Sequence, residues 1–288
     1  YWKLKYVDKL DHFNQSIHTI FGTSTHLVIQ EWLENILFND EHSLVYAQSV
    51  DLSDRFKEIL IKEAAPHIHR TDKDGNETVL FTKAVLEEFY QHGCLIISYI
   101  QQHQAKVFPT ENIKLHSIEH YLKADVGKNL TFVGYIDIVT YNEKTEDYVL
   151  YDLKTSGKGW SNYKKKDKST TDQLIIYKKF FSELYDVPLN KIHVSYVILK
   201  RELTQTDFPN PRVSEFVPSN GTVSVNRAWK SFQSFIDTCF NEDGSRIPEQ
   251  RPDPSKSNCR FCPFNAGVCD SVYDEKKELR NLVRLLDD

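Results

Sequence analysis

The chain has 288 residues, enough for one large domain or two small ones, with apolar (40%) and charged (27%) fractions ordinary for a folded globular protein. A net charge of −5 argues against a protein that coats nucleic acid indiscriminately. No apolar run is long enough to cross a membrane, the start carries no signal-peptide pattern, and five cysteines, an odd number, do not suit a disulfide framework.

A reducing cytoplasm is the expected compartment, that of the host if the protein is viral. Methionine is absent and the chain begins at Tyr1, so a trimmed N-terminus with replaced or omitted methionines is expected.

In chain order, residues 16–38 read as a helix, with Gly22-Thr23-Ser24-Thr25 near a cap or bend and Leu27, Trp32, Leu33 and Leu37 as apolar anchors. Residues 51–65 and 82–104 read as two more helices, separated by a turn or loop at 71–76. Residues 113–123 read as a strand carrying Glu119. Residues 131–141 and 148–155, rich in Val, Ile, Tyr, Phe and Thr, read as two strands around the polar segment 142–147. A helix at 171–186, a buried strand at 193–199 and a helix at 225–240 follow. A polar, Pro-rich linker at 243–258, a cysteine cluster and an amphipathic helix at 272–285 close the chain. There is no internal repeat, and the pattern is that of one core with a helical insertion.

The central hairpin carries the chemistry. It contains Gly134-Tyr135-Ile136-Asp137 and Asp152-Leu153-Lys154-Thr155. A symmetric turn makes residues whose numbers add to 289 face each other, and Asp137 and Asp152 are such a pair. Their Cβ atoms would lie roughly 5 Å apart on one face. Strand alternation returns Lys154 to that face, and a one-residue slip would separate the acids. Opposed like charges destabilise a hairpin unless a positive charge sits between them. Paired carboxylates suit Mg²⁺ or Mn²⁺, which activate water and polarise a phosphoryl oxygen. Lys154 can orient that water or stabilise charge developing at phosphorus. An isolated acid-x-lysine is more often an exposed salt bridge, so the surrounding residues decide.

His26 lies on the first helix and can ligate a metal as a neutral imidazole. Glu119 precedes the hairpin on a neighbouring strand. Gln173 and Tyr177 are at i and i+4 and share one helical face. Between 150 and 180 the chain holds eight lysines against three acids, with Trp160 and Tyr163 interleaved. That stretch, with Lys158, Lys164, Lys165 and Lys166, suits a phosphate backbone and stacked bases, or a solvated lysine loop.

In this order the set resembles the RecB/AddB-type branch of the PD-(D/E)xK nuclease superfamily, which includes the nuclease domains of bacterial recombination exonucleases and CRISPR-associated, mitochondrial and phage relatives. The matching pieces are Gly22 to His26, Glu119, Gly134 to Asp137, Asp152 to Lys154, and Gln173 to Tyr177, so the likeness spans roughly residues 16–200. It implies an α/β, restriction-endonuclease-like core, a central mixed sheet flanked by helices, within residues 1–242, with a helical insertion at about 39–110 forming part of a strand channel. It implies that His26, Asp137 and Asp152 ligate Mg²⁺ or Mn²⁺, with the carbonyl of Leu153 a further ligand and Glu119 an outer one. Lys154 would be the catalytic lysine, and Gln173 and Tyr177 would position DNA or support the site.

Cys259, Cys262 and Cys269 lie in the remaining segment, 243–288, where three closely spaced thiolates are a metal signature. In the iron–sulfur subset of the family, three such cysteines join a remote N-terminal one around a structural 4Fe-4S cluster. Tyr1 to Tyr6 is similar to the aromatic-basic stretch that follows that first cysteine, so the fourth ligand is expected upstream of Tyr1. Zinc is the alternative. Cys94 and Cys239 are expected to be buried apolar residues. The expected activity is a metal-dependent DNA exonuclease acting on single strands or ends in recombination, repair or phage DNA processing. The partners are then DNA and a recombination or repair protein. The alternatives are a non-catalytic DNA-binding adaptor on the same fold and a site-specific endonuclease.

Overall fold

The computed structural model describes residues 4–5, 8, 16–71, 77–203, 211–248, 259, 262 and 264. The chain forms two compact units, Gln15–Ser234 and a smaller one of Tyr1–Asn14 with Phe235–Asp288.

In the larger unit, Ser16 accepts from the Thr19 N–H and opens α1 (Ile17–Trp32), which runs on into a π-helical turn, Leu33–Leu37. Four helices and a small hairpin follow: α2 (Leu44–Ser49), α3 (Ser53–Ala64), β1 (His69–Thr71) paired with β2 (Glu77–Val79), α4 (Lys83–Gln102) and α5 (Gln104–Val107). Next come β3 (Ile113–Asp125), β4 (Thr131–Asn142), β5 (Asp147–Ser156), α6 (Asn162–Lys166), α7 (Lys168–Tyr185), β6 (Ile192–Lys200), β7 (Val213–Phe216) and α8 (Thr222–Cys239).

Strands β3 to β7 form one mixed sheet in sequence order, with β5 and β6 parallel and the other neighbours antiparallel. A parallel pair needs a long crossover, and α6 and α7 supply it. One core packs α1, α3 and α4 on the sheet through Phe21, Ile29, Phe56, Ile96, Ile138, Leu153 and Leu199. The other packs α7 and α8 through Ile136, Val139, Leu150, Leu174, Phe181, Tyr196, Ile198, Val225 and Ala228. The α/β architecture with a central mixed sheet between helices is therefore as expected.

Within the described residues, the helices and strands of the sequence reading fall where expected, whereas the short elements α2, β1, β2, α5 and α6 went unread. The short strand β7 went unread, because four residues near Pro211 and Pro218 carry no usable period. The β4–β5 turn is held by Asn142, whose Oδ1 accepts from the N–H groups of Lys144 and Thr145, and Glu146 takes a left-handed conformation.

In the smaller unit, Phe235 meets Phe240 edge-on at 6.1 Å, Phe240 and Arg246 form an isolated bridge, and the Asp243 carboxylate accepts from the Ser245 N–H. The linker beyond residue 248, the helix at 272–285, Cys269, and the N-terminal aromatic-basic stretch apart from Leu4 and Lys5 lie outside the described residues. Cys239 is buried, whereas Cys94 is only half-buried against the first core.

Candidate active site

Three elements meet where the sheet opens. The β4–β5 ladder pairs Asn142 with Asp147 and continues in the expected register to Ile138 with Tyr151. It stops one step before Asp137 and Asp152. Across the other edge of β4, the β3 ladder pairs Ile118 with Ile138 and His120 with Ile136, and the intervening Glu119–Asp137 row is unpaired. Glu119 has a φ of 46°, a left-handed conformation unusual inside a strand. Ile136 lies in one core and Ile138 in the other, so the side-chain alternation of β4 breaks at Asp137. The direct cross-strand facing of Asp137 and Asp152 is therefore replaced by a kink.

Side chains satisfy the backbone freed by the kink. The Asp137 carboxylate accepts from the Leu153 N–H at 2.6 Å. Gln30, on α1, donates from Nε2 to the Asp137 carbonyl at 3.3 Å and to Glu119 Oε1 at 2.6 Å. Gln30 is buried, and an unpaired amide there would be costly. The sequence reading missed it, although its position one turn after His26 puts both on one face of α1.

His26 and Lys154 complete the cluster. Nδ1 of His26 lies 3.7 Å from Oδ2 of Asp137. Nζ of Lys154 lies 2.6 Å from Oδ2 of Asp152. That oxygen is fully buried and makes no well-aligned hydrogen bond, so the contact is one of charge. Burial pushes Asp137 up to about 6; the Leu153 N–H and Lys154 oppose this and Glu119 adds to it. Burial likewise pushes Asp152 up to about 6, against the pull of Lys154. Burial holds the His26 imidazole neutral, down to about 4.

The donor chemistry fits a divalent cation. Two carboxylates sit in surroundings that disfavour their charge, beside the His26 imidazole, and the buried Asp152 oxygen has the charge of Lys154 near it but no hydrogen bond. Among the described residues, no three His, Cys, Asp or Glu side chains form a group that could hold an ion. Magnesium, however, is commonly held by one or two carboxylates, with water filling the remaining positions. Asp137 and Asp152 meet that need. Glu119 is exposed and engaged by Gln30.

Two glycines set the approach of the helices. A Cβ on Gly134 would lie 2.6 Å from the Tyr177 ring, and one on Gly22 would lie 3.1 Å from Thr155 Oγ1. The first lets α7 settle on β4, and the second lets α1 settle on β5 beside Lys154. Gln173 donates to the Tyr177 hydroxyl at 3.2 Å. Both line a cavity of about 550 Å³ with Phe132, Lys168, Asp172, Arg227 and Phe232. Among the described residues, neither hydrogen-bonds to Asp137, Asp152 or Lys154. Tyr196, also unread from sequence, pairs in register with Asp152 and donates its hydroxyl to the Thr170 carbonyl at 3.0 Å. Its pKa is raised, first by burial and then by Asp152.

The lysine-rich loop requires one correction. Trp160 is only 7% exposed and packs against Tyr196 (5.0 Å) and Phe216 (5.9 Å), so it is a core residue out of reach of a base. Its large apolar ring completes the core over β6, while Nζ of Lys164 lies 5.1 Å from it. Lys158, Tyr163, Lys164 and Lys166 are exposed and Lys165 is half-buried. In the smaller unit, the Cys262 N–H donates to the Cys259 carbonyl at 3.2 Å, a tight turn between two of the three clustered cysteines.

Among the described residues, no helix is long and apolar enough to cross a membrane. No family model and no curated protein matches the chain. Among solved structures, a candidate exonuclease from Eubacterium rectale matches over 96% of both chains, at 11% identity and a TM-score of 0.40. A protein from Vibrio cholerae matches over 69% of this chain and 51% of its own, at 15% identity and a TM-score of 0.22. Likenesses this remote do not bear on chemistry, which has to be read from the site itself.

Proposed function

We propose that this protein is a divalent-metal-dependent phosphodiesterase that cleaves DNA, an exonuclease acting on single strands or ends. The observation that carries the reading is the cluster at the opened ladder: the buried carboxylate of Asp152, the half-buried one of Asp137, the His26 imidazole and the Lys154 ammonium. A divalent cation bound there would supply a polarised phosphoryl oxygen and a water of lowered pKa.

The chain's own groups do the rest. Asp137 and Asp152 would hold the cation, with His26 and the Leu153 carbonyl as further ligands once it is bound and Glu119 outside them. Lys154 aims its ammonium at the negative charge that develops on the scissile phosphate. Gln30 and the Leu153 N–H keep Asp137 in place. Gln173 and Tyr177 sit on the α7 side as supports for the site or the strand, and Lys158, Tyr163, Lys164, Lys165 and Lys166 offer contacts to phosphates. Cys259, Cys262 and Cys269 would hold a structural 4Fe-4S cluster, with zinc as the alternative. The biological setting is recombination, repair or phage DNA processing, with a protein of that machinery as partner.

Labelled single-stranded DNA with Mn²⁺ tests the reading. A ladder or mononucleotides, abolished by EDTA and by Asp152→Ala, is the expected result. Discrete fragments would make the protein a site-specific endonuclease, and binding without cleavage would make it an adaptor. Anaerobically purified protein should absorb in the visible iron–sulfur band; colourless protein with stoichiometric zinc would replace the cluster by zinc.

A further inference from the structure

Beyond the Glu119–Asp137 row, β3 and β4 continue as a two-stranded arm that β5 does not accompany. One side of the arm is packed: Phe132 stacks on Phe180 at 4.0 Å and Gly134 lies under Tyr177. The other side is open. Tyr121 and Tyr135 are directly paired across the strands, and Val133 is paired with Lys123 in the next odd row. Tyr121 is 46% exposed, Val133 49% and Tyr135 52%. The tyrosine rings lie 5.2 Å apart and are tilted by 44°, so they do not cover each other's faces. Single exposed apolar residues are ordinary, but three on adjoining rows make a patch.

The position of the patch names its occupant. The tyrosine row is two residues from Asp137 and Glu119, about 7 Å along the strands. The charges around it, Glu119, Asp125 and Lys123, do not add up to a grip on phosphate. The patch itself therefore grips a strand by its bases, and the phosphates are left to Lys154 and the lysines of 158–166. Aromatic faces do this without sequence preference, and only unpaired bases have free faces to offer.

We propose that Tyr121 and Tyr135 form a stacking platform for the bases of a single strand and hold it beside the Asp137–Asp152 site. The proposal deepens the nuclease reading and rests on it for the identity of the neighbouring site. It also replaces Trp160, which is buried, as the aromatic contact.

The test is fluorescence anisotropy of the full chain in EDTA, with labelled oligothymidylate, an abasic strand with the same number of phosphates, and a duplex. Tyr121→Ala with Tyr135→Ala should weaken oligothymidylate binding at least about fivefold and leave the abasic strand and the duplex unchanged. Tyr121→Phe with Tyr135→Phe should bind as the wild type does. The platform is overturned if the alanine pair binds oligothymidylate normally, if binding of the abasic strand falls equally, if the phenylalanine pair is also impaired, or if the wild type binds no single strand. Cleavage with Mn²⁺ by the same proteins separates the two readings. Base-dependent loss in a protein that never cleaves removes the nuclease and keeps the platform. Cleavage without base-dependent loss does the reverse.

Discussion

The two halves of β4 share β3 as a neighbour and have opposite fates. From Ile138 to Asn142 the strand is paired on both sides, and Ile138 and Val139 are fully buried. At Asp137 both ladders lapse, and two side chains take over the backbone's hydrogen bonds: Gln30 from α1 donates to the Asp137 carbonyl, and the Asp137 carboxylate accepts from the Leu153 N–H of β5. The contrast teaches that the sheet supplies stability where it is regular and chemistry where it is interrupted. A carboxylate locked into a full ladder could not turn toward Leu153 and His26.

The sharpest test of this division is Asp152→Ala. Metal-dependent cleavage should fall at least about 1,000-fold, the loss that removing several kcal/mol of charge stabilisation produces. Circular dichroism should show an intact fold. Full activity in that variant would break the contrast at its active end. Lys154→Ala should lower kcat by about 100- to 1,000-fold with little change in KM, measured in steady-state assays.

Ile138→Ala, one residue into the regular half, should act oppositely. It should cost about 2–5 kcal/mol in denaturant unfolding and leave the kcat of the folded fraction near that of the wild type. Gln30→Ala tests the boundary itself. It should cost about 1–3 kcal/mol, because the buried carbonyl of Asp137 loses its donor. Activity should fall with it, since Asp137 then shifts. A loss of stability without loss of activity would separate the kink from the site.

The smallest effect concerns the packed side of β3. His116 and His120 have pKa values lowered by burial, so the fold favours their neutral forms. Their contribution to stability is complete above the ordinary value near 6.5 and is lost as pH falls below it. Asp137 and Asp152, raised to about 6, act with the opposite sign in the same window, so the decline is read as a difference: from pH 7 to pH 5 the thermal midpoint of the wild type should fall relative to that of a His116→Phe with His120→Phe variant.

Much of the site was legible because its residues are local. Asp152 and Lys154 share a face by strand alternation, and Gln173 and Tyr177 share one by helical period; the contacts at 2.6 Å and 3.2 Å follow. The turn at Asn142 made the 289 register readable as far as Ile138. Trp160 was misread because an aromatic residue among lysines looks exposed, and its burial comes from Tyr196 and Phe216, far along the chain. Gln30 was missed because its partners, Glu119 and Asp137, lie on other elements.

By itself, the sequence determined the order of the longer helices and strands, the hairpin register as far as Ile138 and the residue types available for chemistry, because these depend on periods and turns within a few residues. Only the tertiary structure decided that β4 kinks at Asp137, that α1 delivers His26 and Gln30 to the gap, and that Tyr121 and Tyr135 stay uncovered beside it. Those outcomes depend on which surfaces find partners across the fold, and a break in alternation leaves no mark in the local pattern.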